Sequence, residues 1–327
     1  MLNFDYVRPT TQQSALNAIK KNKNSAFIAG GTNLVDLMKR GVATPEKLVD
    51  ISRLPMKEIS LVSGNIRIGA GALNSTVAEN DLILKNAPLL SKALHAGASP
   101  QIRNMATVGG NMLQRTRCPY FYDTALPCNK RAPGTGCSAV EGYSRMHAIF
   151  GASNACIAVH PSDMCVALAA LDAVVVIANN KTERRLAFTD FHRLPGDKPN
   201  LDNNLQAGEL IIAVEIPEKN LFSEHTAYVK VRDRSSYAFA LVSVAAALSL
   251  NGNSIREARL AMGGVAHKPW RLTAAENFLR GKSATEDIFK EAGRIAMQDA
   301  KAYPGNKFKL TLAPNAIIEA LKQAAGI

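Results

Sequence analysis

The chain has no apolar run near the roughly 20 residues that a membrane-spanning helix needs, which argues against a helical span. Its first residues, MLNFDYVRPTTQQ, form neither the basic nor the apolar part of a secretory signal. A subunit exported in folded form with a signal-bearing partner would need none. No Gly-x-Gly-x-x-Gly spacing occurs, so the Rossmann dinucleotide fingerprint is missing. No C-x-x-C pair occurs either, and the common zinc-ribbon signature fails with it. Helix-turn-helix, finger and RNA-binding signatures are absent and the Lys and Arg are scattered, so nucleic acid is a weak reading of the net charge of +12. That charge fits a solvated basic surface or a partner-binding one.

What remains is an ordinary globular composition: 327 residues, 47% hydrophobic and 20% charged. The length suggests two or three domains. The chain reads as three segments, 1–55, 56–221 and 222–327, of α+β character.

In the first segment Pro9–Lys21 has helical periodicity, with Ala15, Leu16 and Ile19 on one side. Ser25–Ala29 reads as a buried strand running into Gly30-Gly31-Thr32-Asn33, and then into a helix that stops at Gly41. Thr32 or Asn33 is the expected N-cap. A glycine turn between strand and helix exposes backbone N–H groups with no Cβ in the way, which suits a phosphate or pyrophosphate. A plain tight turn is the bland alternative. Ala43–Ile51 gives another strand.

The second segment opens with a hairpin, Ile59–Leu61 and Ile66–Gly71, turning at Gly64-Asn65, followed by helices over Asn74–Glu79 and Pro88–Ala96. A second glycine turn follows at Thr107-Val108-Gly109-Gly110-Asn111. Two such turns fit one extended dinucleotide held by two loops. The stretch from Ala106 to Asp163 then loses hydrophobic periodicity and carries four of the five cysteines, spaced C-x9-C-x8-C-x18-C at Cys118, Cys128, Cys137 and Cys156. A long irregular excursion in a compact domain is usually functional or disordered. Its prolines, aromatics and thiols suggest that something pins it. Disulfides, an irregular structural zinc and a four-iron cluster compete as readings. Cys165, in the apolar helix from Met164 to Ala170, reads as a core thiol.

In the third segment Thr226–Arg232 and Arg256–Met262 read as strands, and Leu241–Leu248 as a helix or a buried strand. Helices are expected over Thr273–Leu279, Ala284–Ala300 and Pro314–Ala324. Lys230, Arg232 and Arg234 form a basic cluster at the domain junction.

AGGTNL (Ala29–Leu34), ATVGGN (Ala106–Asn111), HPSD (His160–Asp163), GELI (Gly208–Ile211), the block from Tyr228 to Leu248 and GGVAHKPWR (Gly263–Arg271) together resemble the FAD-binding medium subunit of the molybdenum hydroxylases, over essentially the whole chain. That family includes the xanthine dehydrogenase, carbon monoxide dehydrogenase and aldehyde oxidoreductase enzymes. The cysteine-bearing insertion, about residues 115–160, resembles the subset whose flavin subunit also holds a [4Fe-4S] cluster. Of that subset, the bacterial periplasmic aldehyde oxidoreductase is a closer match than 4-hydroxybenzoyl-CoA reductase.

The resemblance implies a two-lobed p-cresol methylhydroxylase (PCMH)-type FAD-binding domain followed by a carbon monoxide dehydrogenase flavoprotein-like C-terminal domain. It implies that Phe27, Ile28, Ala29, Gly30, Gly31, Thr32, Asn33 and Leu34 cradle the FAD pyrophosphate, with Thr107, Gly110 and Asn111 as the second loop. Asp163 would accept from the ribose, Ile211 would touch the adenine side, and Lys230 would sit by the isoalloxazine or phosphates. Arg234 and Tyr237 are weaker flavin neighbours. Cys118, Cys128, Cys137 and Cys156 would ligate the cluster, and FAD would be held non-covalently.

The implied role is a bacterial electron-transfer subunit with no catalytic residue of its own. Its expected partners are a large subunit with molybdopterin cofactor and a small [2Fe-2S] subunit, in the cytoplasm or in the periplasm by co-export. Hydroxybenzoyl-CoA reductase- and xanthine dehydrogenase-type enzymes, a stand-alone flavin oxidase and a zinc- or disulfide-stabilised nucleotide-binding protein are the competing readings.

Overall fold

The computed structural model describes residues 1–22, 24–217 and 222–327. The expected boundary between the second and third segments falls at Leu221, outside those residues.

Strands β1 (Asp5–Val7), β2 (Ser25–Ile28) and β3 (Lys47–Asp50) form a parallel sheet in the order β1-β3-β2. Parallel neighbours need crossover connections, which the helices Gln12–Lys20 and Leu34–Lys39 supply. The first of these helices starts at a capping box in which Thr11 Oγ1 accepts from Ser14 N at 3.1 Å. The second ends where expected, at Gly41, with φ +71°.

A second, antiparallel sheet runs β4-β5-β8-β6-β7. Its strands are β4 (Ile59–Val62), β5 (Asn65–Gly69), β6 (Val174–Ala178), β7 (Glu183–Ala187) and β8 (Leu210–Pro217). The hairpin expected at Gly64-Asn65 turns one residue earlier. Ser63 and Gly64 have φ +49° and +77°, the paired left-handed conformation that two-residue hairpins use. One face of this sheet, through Ile66, Ile68, Val175, Ile177 and Val214, packs with helices Pro88–Ala96 and Asp163–Ala170. The other face, through Val176, Ala178 and Ile212, buries Ala15, Leu16, Val49 and Leu54 of the first segment.

The C-terminal sheet, order β12-β11-β10-β9, consists of β9 (Thr226–Val231), β10 (Val242–Asn251), β11 (Ser254–Gly263) and β12 (Trp270–Arg271). The run whose type was open between helix and strand is thus β10, at the centre of a sheet. Ala245 and Ala247 point into the core shared with helix Asp163–Ala170, whereas Val244, Ala246 and Leu248 point into a core with helices Glu286–Ala296 and Lys309–Ala325. With both faces buried there is no polar alternation to read. The last helix starts five residues before the expected Pro314, which it accommodates in its interior.

Candidate cofactor site

The two glycine turns meet backbone to backbone. A Cβ on Gly30 would lie 1.7 Å from the carbonyl oxygen of Met105, so no side chain fits there. Gly31, with φ +70°, makes the turn out of β2. In the second loop Thr107 Oγ1 accepts from Gly110 N at 3.2 Å, and the N–H groups of Val108 and Gly109 donate to Ala72 O and Ala70 O at 3.0 and 2.8 Å. Between the loops lies a cleft of about 300 Å³. Its walls include Phe27, Ile28, Ala29, Gly30, Gly31, Thr32, Asn33 and Leu34 from the first turn, Thr107 and Gly110 from the second, and Ile211 from β8. The eight residues expected from the first turn share this cleft with Thr107, Gly110 and Ile211, whereas Asn111 of the second loop does not line it.

Asn33 does not cap its helix. Its backbone is at φ −115° and ψ −45° and its side chain makes no cap bond. Its Oδ1 accepts instead from Arg115 N at 2.9 Å, which ties the first turn to the start of the cysteine segment. Its Nδ2 is buried without a partner. A cradle closed to any Cβ and an unpaired buried amide donor both suit a phosphate-bearing ligand.

Thr32 is also on the wall of a wider chamber of about 640 Å³, so the two spaces adjoin. Asn111, Asp163 and Lys230 line this chamber, with Arg234, Tyr237 and Phe239. Asp163 and Lys230, expected at separate points on a cofactor, are bonded to each other. Lys230 Nζ donates to Asp163 Oδ2 at 2.8 Å and to Ala96 O at 2.9 Å, and Tyr228 O–H donates to Asp163 Oδ1 at 2.7 Å. Burial raises the Asp163 pKa, and Lys230 and Tyr228 only partly offset it. Asn74 went unnoticed in the sequence; it lines the chamber with a buried, unpartnered Oδ1. Arg115 was also missed. It lines the cleft, donates to Asp202 Oδ2 at 2.6 Å and lies over the Phe121 ring at 4.7 Å. Nothing in either residue's neighbours signals the role, because both act through contacts distant in sequence.

The four expected cysteines line a single small cavity. All are free thiols, packed with Phe121, Ala139 and Ile157 against Leu37 of the first segment. Cys128 and Cys137 pair as an isolated antiparallel bridge. The N–H groups of Phe121 and Val140 donate to the carbonyls of Cys118 and Cys137, at 3.0 and 3.3 Å, which fixes the backbone at two of the thiols. Burial lifts Cys118 to about 11, whereas a hydrogen bond from Cys156 lowers Cys137 to about 6 and raises Cys156. Four thiols converging on one cavity are a ligand set that could hold an iron–sulfur cluster. Cys165 is apart from them and fully buried, as expected.

Among the described residues, one set of three potential donors lies within 4.8 Å: His160, Cys165 and His192. Both ring Nε2 atoms there face the carbonyl of Met112, at 3.4 and 2.8 Å, and His160 Nδ1 accepts from Ser162 N at 3.4 Å. A side chamber of about 140 Å³, lined by Cys118, His147, Ser162, Asp163 and Phe239, shares Cys118 with the cysteine cavity and Ser162, Asp163 and Phe239 with the wide chamber.

Comparison with known proteins places residues 2–219 in the FAD binding domain in molybdopterin dehydrogenase, and residues 227–324 in the CO dehydrogenase flavoprotein C-terminal domain. The chain is 47% identical over 329 residues to the aldehyde oxidoreductase FAD-binding subunit PaoB of Escherichia coli (strain K12), covering 99% of each chain. It is 29% identical to the glyceraldehyde dehydrogenase medium chain of Sulfolobus acidocaldarius, covering 90% of this chain and 88% of that one. Its fold matches a chain of quinoline 2-oxidoreductase from Pseudomonas putida 86 with a TM-score of 0.77 at 25% identity, over 99% and 98% of the two chains.

Proposed function

The chain belongs to the FAD-binding medium subunits of the molybdenum hydroxylases, and we propose that it is the FAD- and [4Fe-4S]-carrying electron-transfer subunit of a molybdenum-dependent aldehyde oxidoreductase. The observation that carries this reading is the adjacency of the two-loop cleft and a pocket lined by four thiols. When bound, FAD supplies two-electron and one-electron chemistry, and the cluster one-electron chemistry.

The chain's own residues bind and orient. Gly30, Gly31 and the second loop give a pyrophosphate close backbone approach, and Asn33 Nδ2 supplies a donor. Thr107, Gly110 and Asn111 form the second loop's side of the site, and Ile211 closes the end beside β8. The Lys230–Asp163 pair forms a polar wall for the flavin end. Cys118, Cys128, Cys137 and Cys156 hold the cluster.

The partners are a large subunit carrying molybdopterin cofactor and a small subunit with [2Fe-2S] clusters, which feed electrons from aldehyde oxidation to this chain for an external acceptor. Aldehyde is favoured as substrate by the similarity to the aldehyde oxidoreductase subunit of Escherichia coli. Among the described residues no helix is long and apolar enough to cross a membrane. A bacterial source, with the complex in the cytoplasm or co-exported to the periplasm, fits the same relative.

The test is the absorption spectrum and the metal content of the chain purified anaerobically with its natural partners. Flavin bands with a broad shoulder that bleaches on reduction, and about four iron and four sulfide per chain, are expected. Zinc without iron would favour the non-redox alternative, and full turnover by the chain alone would favour a stand-alone flavin oxidase. Cys128→Ser should lower iron and leave FAD in place; unchanged iron would count against the ligand set.

A further inference from the structure

His147 lies in the cysteine segment, outside the residues assigned above to hold either cofactor. Its ring is buried, with Nε2 at 3.1 Å from Cys118 Sγ. Among the described residues it is the only side-chain nitrogen within hydrogen-bonding distance of any of the four sulfurs. As a cluster ligand the Cys118 sulfur would be a thiolate, which can only accept, so the proton at this contact would then belong on Nε2. The other ring nitrogen, Nδ1, is buried with no partner, as suits an unprotonated atom in a neutral ring.

The ring's position is set from the far end of the chain. The carbonyl of His147 accepts from Asn306 Nδ2 at 3.0 Å and from Lys309 Nζ at 3.0 Å. Lys309 Nζ also donates to Gly264 O at 2.7 Å, and both Asn306 and Lys309 have 0% exposure. On the near side the N–H of His147 donates to Ser144 O at 3.0 Å, and Ser144 Oγ accepts from Gly305 N at 3.2 Å. These bonds fix the His147 backbone on both sides, and with it the base from which the ring reaches Cys118 Sγ.

We propose that His147 is a positioning residue that donates Nε2–H to the Cys118 sulfur and raises the midpoint potential of the cluster, with Asn306 and Lys309 holding it in place. A hydrogen bond to a ligand sulfur stabilises the more negative, reduced form, and removing it lowers the potential. This inference rests on the [4Fe-4S] reading of the four cysteines.

The experiment uses the complete complex, with wild type, His147→Leu and His147→Gln compared by iron and sulfide analysis and by a redox titration followed by electron paramagnetic resonance. Leucine should keep the iron and shift the midpoint to more negative potential, while glutamine, which retains an N–H donor, should shift it less. An unchanged midpoint in the leucine variant overturns the assignment. If leucine costs the iron, the wild type labelled with ¹⁵N-histidine decides. Hyperfine coupling of the reduced cluster to a histidine nitrogen, lost in His147→Gln, supports the bond, and its absence overturns it. A wild type without iron sinks the cluster reading itself, a result distinct from either.

Discussion

Lys230 and Asp163 meet at 2.8 Å across the junction of the two domains. Lys230 stands on β9 of the C-terminal sheet, and Asp163 starts the helix Asp163–Ala170 of the FAD-binding half. Both side chains are nearly inaccessible, at 5% and 9% exposure, so neither charge can turn to water if the other is removed. Lys230→Met is expected to cost about 3–5 kcal/mol, the usual penalty for orphaning a buried charge. Adding Asp163→Asn should recover part of that loss. A double-mutant cycle in denaturant checks it, and strictly additive losses would show that the pair is not coupled.

Gly30→Ala should abolish FAD retention. The new methyl group would sit on Met105 O, and backbone cannot swing aside as a side chain tip can. The two loops must separate, at a cost of about 1–3 kcal/mol or more. Gly41→Ala is the control. Unlike Gly30 it has positive φ, but its Cβ meets nothing within 4 Å, so it should lose about 1 kcal/mol of stability and keep its flavin. Flavin-to-protein ratios after desalting decide between equal and unequal effects.

Acid should weaken the fold through its buried histidines, starting above the ordinary carboxylate range. Burial holds His192 down to about 4 and His267 to about 3, and pushes His160 well below its usual range. These groups are depressed in the fold relative to about 6.5 in the unfolded chain. Their contribution is therefore complete above that value and is lost as pH falls toward the folded values. Each adds up to about 1.4 kcal/mol per pH unit to the slope. Denaturant midpoints at pH 7.5, 6 and 5 should fall steadily, whereas a flat profile would mean that these rings are already protonated or solvated.

Cys165→Ala should leave iron unchanged and cost about 1 kcal/mol through a small core void. A loss of iron equal to that of Cys128→Ser would make Cys165 a fifth participant, against its place in the apolar helix. Metal analysis of the two variants side by side separates them.

Local signals were legible wherever one stretch of chain determines its own conformation. The strand into Gly30-Gly31, the helix Pro88–Ala96 that starts on a proline, and the stop at Gly41 were all readable from neighbours. The bringing together of four cysteines followed from the resemblance, since irregular spacings by themselves fit several cross-links. What stayed hidden depends on partners far along the chain. β10 could not be told from a helix because its two faces enter different cores. Asn33 looked like a cap until Arg115 took its oxygen, and the Lys230–Asp163 and His147–Cys118 contacts join residues 67 and 29 positions apart. Two buried polar groups that pair across a fold leave no mark on their own neighbours.

The anchoring of His147 by Asn306 and Lys309 also imposes an order of events during biosynthesis. Those two residues follow the last of the four thiols, Cys156, by 150 positions or more, so the thiols leave the ribosome first. A nascent chain can therefore present its cysteines before the bonds that fix His147 can form, and those bonds await the synthesis of Asn306 and Lys309. On the [4Fe-4S] reading, a cluster delivered before that point would meet a segment without its anchor.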